Sequence, residues 1–333
     1  MSTNILDPLP LTPPIMRRVR AYFAPVKRAA GSPAIFDPAQ YWNFNLDSPP
    51  SPWLDLGWLH AFQRKTESKV LPLRSGAPGL PLSQVRTEID SIVSVKFVNW
   101  GKLQMAVTAG SEQMNLLITA ANAPANGSGG NASGAIPLSG GSTATFLSLA
   151  SNQLTSFSVG QMVVVDIDYS GQAGYVGSGI SGAFVSSSNA VNSDVNYIRR
   201  VSFNVGRIIS ITSTGLQLAQ PLIAGVPDTG MSVQPILGFV DREGSNFFQE
   251  WSGLFVIAGE QGDRILFHYP RLQISSGAGE SVEPLMTSLE KVDTLGRVSQ
   301  VAEFRGLPVT DKNDGAQVVC FRSYIPAAAT NLW

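Results

Sequence analysis

Residues 85–97 read Val-Arg-Thr-Glu-Ile-Asp-Ser-Ile-Val-Ser-Val-Lys-Phe. Val85, Thr87, Ile89, Ser91, Val93, Val95 and Phe97 alternate with Arg86, Glu88, Asp90, Ser94 and Lys96; Ile92 breaks the polar series. A period of two sends the first set to a core face and the second to water, so the stretch predicts a long, half-buried β-strand. Downstream, Asn99 stands as N-cap of a helix with Trp100, Leu103 and Val107 on one face, and Gly110 stops it. Residues 114–118 are apolar and fit strand or helix equally. Upstream, 56–64 and 69–75 read as two short strands, and Gly76-Ala77-Pro78-Gly79 turns the chain into the long strand.

Farther out the character changes. Residues 1–52 carry Pro8, Pro10, Pro13, Pro14, Pro33, Pro38, Pro49, Pro50 and Pro52, which rule out long helices and keep the chain extended. Tyr22, Phe23, Phe36, Tyr41 and Trp42 stud this stretch, so it is read as an arm that docks on its own domain or on a neighbouring subunit. Arg17, Arg18, Arg20, Lys27 and Arg28 add a basic run, expected to pair with acids of the same or another chain. Residues 119–143 are Ala, Asn, Gly and Ser with few anchors, a flexible connection by composition.

Beyond it, 162–169, 201–211 and 216–222 read as strands, the last two around Ser213-Thr214-Gly215. Short strands with Gly-rich turns predict a small β-barrel or sandwich. From Gly238 the earlier style resumes, with strands at 254–258, 264–274, 297–307 and 316–324 and a hairpin turn at Asn313-Asp314-Gly315. Residues 285–292 fit either period. The expected layout is an arm (1–52), a discontinuous β domain (53–139 and 239–333) and an inserted β module (140–238).

Composition narrows the function. Charged residues are 14% of 333, and the net charge of −1 leaves no basic field to hold nucleic acid. Gly (32) and Pro (22) favour strands and turns. The mean hydropathy of +0.09 is high, yet no apolar run reaches membrane-spanning length. So poorly charged a surface fits burial against other subunits. The first residues lack a basic stretch followed by an apolar core, so no secretory signal is expected and the sequons at Asn126 and Asn131 carry little weight.

Chemistry-bearing motifs are weak. Asp166-Ile167-Asp168-Tyr169-Ser170-Gly171 opens like a calcium loop, but the twelfth position, which needs a bidentate Glu, is Gly177. The Gly177-Ser178-Gly179-Ile180-Ser181-Gly182 run matches a dinucleotide fingerprint, but Ser186-Ser187-Ser188-Asn189 follows it, a loop where a helix is required. His60 and His268 lie in expected strands, and the lone Cys320 reads as a small buried hydrophobe. No catalytic, metal or cofactor constellation assembles from these residues, and an enzyme is the poorer reading.

One resemblance emerges from the segment first quoted. Trp53-Leu54-Asp55-Leu56-Gly57-Trp58, the strand through Val93-Ser94-Val95-Lys96-Phe97 and the following Trp100-Gly101-Lys102-Leu103 resemble a tail tube (major tail) protein of a tailed bacteriophage. It covers about half the chain and rests on layout rather than on an invariant motif. It implies a mainly β, tail-tube-like sandwich or barrel with one flanking α-helix, here with an inserted small β-barrel module. It further implies a structural virion protein, made in the host cytoplasm, forming stacked, hexameric rings. Its partners would be its own copies, other tail proteins at the tube ends, and double-stranded DNA passing through without specific binding. Within a tube, the largest enclosed wet surface is the channel, so Arg86, Glu88, Asp90, Ser94 and Lys96 are expected to face the lumen. The arm residues Tyr22, Phe23, Phe36, Tyr41 and Trp42 are expected to latch a neighbouring subunit. Three alternatives stand beside it. One is a carbohydrate-binding or adhesive β protein using Trp42, Trp53, Trp58, Trp100 and Trp251 as stacking faces. The others are a different tail component of the same fold, and a hydrolase.

Overall fold

The structure, a computed structural model, describes residues 17–26, 32–110, 112–118, 134–167, 173–176, 183–185, 187–189, 197–242, 250–260, 262–284 and 296–327. It is mainly β, with several antiparallel sheets. In chain order the first elements are β1 (Arg17–Pro25), α1 (Pro38–Tyr41), β2 (Leu54–Ser75), β3 (Leu80–Phe97), α2 (Lys102–Ala109) and β4 (Glu112–Leu117). Then come β5 (Ile136–Pro137), β6 (Phe146–Ser148), β7 (Met162–Asp166), β8 (Gly174–Val176), β9 (Ala183–Val185), α3 (Tyr197–Val201), β10 (Val205–Ile211), β11 (Gly215–Leu218) and β12 (Ser232–Arg242). The chain finishes with β13 (Trp251–Gly259), β14 (Arg264–Pro284), β15 (Gly296–Leu307), β16 (Val309–Thr310), β17 (Gln317–Val318) and β18 (Phe321–Ile325).

The first sheet runs β13-β1-β2-β3-β15-β14, and β13 pairs again with β14. That second pairing closes the sheet into a barrel and leaves no open edge along the ring. β18 lies against the first residues of β14. Phe23, Leu56, Val93, Val95, Phe97, Phe255 and Phe304 fill the interior. Helix α2 covers one side with Ala106 and Val107, and Gln104 Nε2 donates to the Leu56 carbonyl at 2.8 Å. The helix starts two residues later than Asn99 predicts, because Trp100 is drawn away to Phe239 and to Glu280. Its end is as expected. Gly110 has φ +63, and a Cβ there would sit 2.3 Å from Ile274 Cγ2, so both backbone and space demand glycine.

The arm expectation needs correcting. β1 is a central barrel strand, paired with β13 on one side and β2 on the other. Tyr22 and Phe23 are fully buried within their own chain, and Phe36 nearly so, so these three have no surface to offer a neighbour. Residues 32–53 lie over the outer face of β1, β13 and β14. There Phe36 packs on Tyr41, Phe44 and Trp53 at 5.6–6.0 Å between ring centres. Tyr41 is half-buried in the same cluster, and only Trp42 of the five stands exposed. Arg20 ties the layers together: its guanidinium donates to Asp55 at 3.0 Å and to Asp47 at 2.6 Å, under the Trp58 ring. Burial opposes that charge, but the two carboxylates win and hold Arg20 still more firmly protonated. Arg17 likewise pairs with Asp263, while Lys27 and Arg28 lie outside the described residues.

The second sheet runs β4-β12-β7-β10-β11-β6, with β5 also on β12. It reaches wider than 140–238: β4 pairs with β12 through Arg242, so the module begins directly after α2. Excising 140–238 would therefore strand β4 and cut β12. Val163, Val165, Ile208, Leu216, Leu218 and Val233 form its core. At the junction with the barrel, Phe203 packs on Trp251 at 5.8 Å. Lys102 Nζ donates to Asn115 Oδ1 and to the Ser202 carbonyl, both at 2.7 Å, above the Phe203 ring. Burial pushes the Lys102 ammonium down to about 7.

His268, on β14, is 3% exposed between the rings of Trp53 and Phe321, and among the described residues neither ring nitrogen has a hydrogen-bond partner. Burial pushes it down from 6.5 to about 4. The unfolded chain therefore takes up a proton near pH 6.5 that the folded chain refuses until about 4. Stability should drain away as pH falls through that window, by up to about 3 kcal/mol, and level off below it. Urea titrations at pH 7 and 4.5 should show the loss in the parent chain and a smaller one in His268→Leu. Equal losses in both would assign the acid sensitivity to other groups.

Candidate assembly interface

The long strand that fixes the barrel also leaves it. β3 pairs with β15 only over residues 92–97, and β2 pairs with β1 only over residues 54–59. Beyond, among the described residues, the two strands pair only with each other as far as Ser75 and Leu80, around the turn at 76–79. The result is a ribbon projecting about 40 Å, at about 3.3 Å per residue. Every residue from 65 to 89 except Pro72 is exposed. Where two short strands are expected at 56–64 and 69–75, β2 is one strand, because Lys65-Thr66-Glu67-Ser68 is polar ribbon rather than a break.

Register decides what the ribbon presents. Ser91, Val93, Val95 and Phe97 are buried as expected, whereas Val85, Thr87 and Ile89 continue their series into solvent. The pairs Lys69↔Glu88 and Val70↔Arg86 are consecutive on β2 but leave Thr87 extra on β3. This bulge reverses the alternation of β3 beyond it. Glu88, Asp90, Ser94 and Lys96 share the outer face as the alternation predicts; Arg86 does not, since the bulge moves it to the opposite face with Val70. In its place, Leu71 and Val85, paired across the ribbon, join the outer face with Leu73 and Leu80. These four are 56%, 46%, 47% and 65% exposed and form an apolar patch on the distal half of the ribbon. Nearer the barrel the same face is charged but balanced: Lys69 Nζ meets Glu88 at 3.0 Å and Arg305 meets Asp90 at 3.1 Å. The bulge, and hence the patch, depends on pairing and leaves no mark in a one-dimensional pattern.

The other candidates disperse. His60 is bonded to Arg297 on the surface and His268 is sealed in aromatic packing. Cys320 is half-buried, and burial raises its thiol. Among the described residues no group of three or more His, Cys, Asp or Glu is placed to hold a metal ion. Residues 168–172 of the calcium-like loop and all of the glycine run 177–182 lie outside the described residues, as do the two sequons and 285–292. Of the tryptophans, Trp53 and Trp251 are core, and Trp42 and Trp100 are exposed. Among the described residues no helix is long and apolar enough to cross a membrane. The chain matches no family model, and no curated protein matches it.

Proposed function

We propose that this chain is a structural subunit that assembles with copies of itself into stacked rings, a bacteriophage tail tube through which double-stranded DNA passes. The observation that carries this reading is the ribbon. A two-stranded ribbon standing alone in water is marginally stable, and this one exposes four large apolar side chains on one face. Both features are explained if a neighbour covers it. A chain with 14% charged residues suits burial by neighbours in the same way. In the tube, the balanced face of Glu88, Asp90, Ser94 and Lys96 lines the channel, where unpaired cations would grip passing phosphates.

Changing Glu88 and Asp90 together to Lys tests that placement. It breaks two exposed ion pairs, each worth about 1 kcal/mol or less, so folding and assembly should survive. Assembled variant should then retain duplex DNA at low salt and release it at high salt, whereas the parent should not retain it. Equal, negligible retention by both would move this face out of the channel.

A further inference from the structure

An open groove of about 850 Å3 lies at the Pro25 end of β1, with apolar walls from Val26, Ile35, Pro308, Val309 and Phe321. Its acids are occupied. Glu250 is almost fully buried and held by Arg271 through two hydrogen bonds of 3.0 Å, and Asp311 accepts from the Asn313 backbone N–H. Lys312 and Asn313 add side-chain donors to the lining, while Gln317 Nε2 already donates to Thr310 Oγ1 at 2.8 Å. An apolar, nearly uncharged ligand rich in carbonyl acceptors matches such a groove, whose size is that of ordinary ligand sites, roughly 300–1,000 Å3.

The chain itself supplies such a ligand. Residues 5–15 read Ile-Leu-Asp-Pro-Leu-Pro-Leu-Thr-Pro-Pro-Ile, with one charge and four prolines that donate no N–H. Prolines bias a segment to the polyproline II form, whose carbonyls point outward and whose ordering costs little entropy. This segment is tethered at the wrong end to fill its own groove. It precedes Arg17, and β1 then runs nine residues, about 30 Å, before Val26 reaches the groove. Ile15 can stray only about 7 Å from Arg17 and Pro8 about 30 Å, so only residues 5–8, fully stretched back along β1, could touch their own groove, and the segment as a whole cannot lie in it.

We propose that the groove holds residues 5–15 of a neighbouring copy stacked head to tail, so that the segment leaving one end of a subunit enters the other end of the next. Such a heterologous contact does not close and builds a filament. The inference rests on the proposed self-assembly and names the contact that would join successive rings.

Two full-length variants test it. In a Cys320→Ser background, Leu9→Cys combined with Val309→Cys should give, under mild oxidation, a ladder of covalent oligomers, with mass spectrometry locating the bond between the two introduced thiols. Separately, Leu9→Asp with Leu11→Asp should keep the fold and the rings but weaken stacking on the order of tenfold or more. Cross-links confined to single chains, or double-Asp tubes as long as those of the parent, would overturn the inference. Tubes visible by electron microscopy without any cross-link would overturn it while leaving the subunit reading intact. A parent chain that stays monomeric, together with a double-Cys variant that forms no ladder, would overturn both.

Discussion

A chain carrying Leu71→Asp and Val85→Asp should sediment as a folded monomer at concentrations where the parent chain associates. The two residues face each other across the ribbon on the same side, 56% and 46% exposed, and touch no core. Circular dichroism should therefore be unchanged. Covering a large apolar side chain contributes about 1.5–3 kcal/mol. Losing two and introducing two charges at every contact should weaken association on the order of a hundredfold or more. The matching control is Glu67→Gln, on the same face nearer the barrel, which should associate as the parent does. Association of the double variant at parental strength would mean that the patch is not an interface.

Removing residues 2–40 should leave no folded subunit, because the deletion takes β1 out from between β13 and β2 and opens the barrel. The single change Phe23→Ala measures the same dependence. Phe23 is fully buried and meets Trp251, Phe255 and Phe304 at 5.5–6.5 Å between ring centres. Truncating it should cost about 3–5 kcal/mol, read as a lowered urea midpoint with the slope unchanged. Trp42→Ala, on an exposed ring, should cost little by comparison. A soluble, cooperative 41–333 fragment would show that β1 is an accessory strand.

These two expectations mark where the sequence was legible and where it was not. Val93 to Phe97 alternate because one face meets the core and the other water, and that pattern survives intact into the barrel. β1 does not alternate. Val-Arg-Ala-Tyr-Phe-Ala-Pro (19–25) is covered on one face by the barrel interior and on the other by residues 32–53, so its apolar residues run together. Set among nine prolines, that run reads as a docking arm rather than as a doubly buried strand. The module boundary was displaced for a different reason: β4 finds its partner, β12, more than a hundred residues downstream, and neither strand announces the other. The proposed interface was half legible. The alternation placed Glu88 and Asp90 correctly beside each other, but the extra residue at Thr87, visible only in the pairing, decided that Leu71 and Val85 rather than Arg86 complete that face.

Electron microscopy of the purified full-length chain tests the central claim most directly. The account predicts closed rings that stack into hollow tubes as concentration rises, with the 66–91 ribbon of each subunit lying against its neighbour in averaged images. A chain that stays monomeric across the same concentrations, with its ribbon free in solvent, would contradict it.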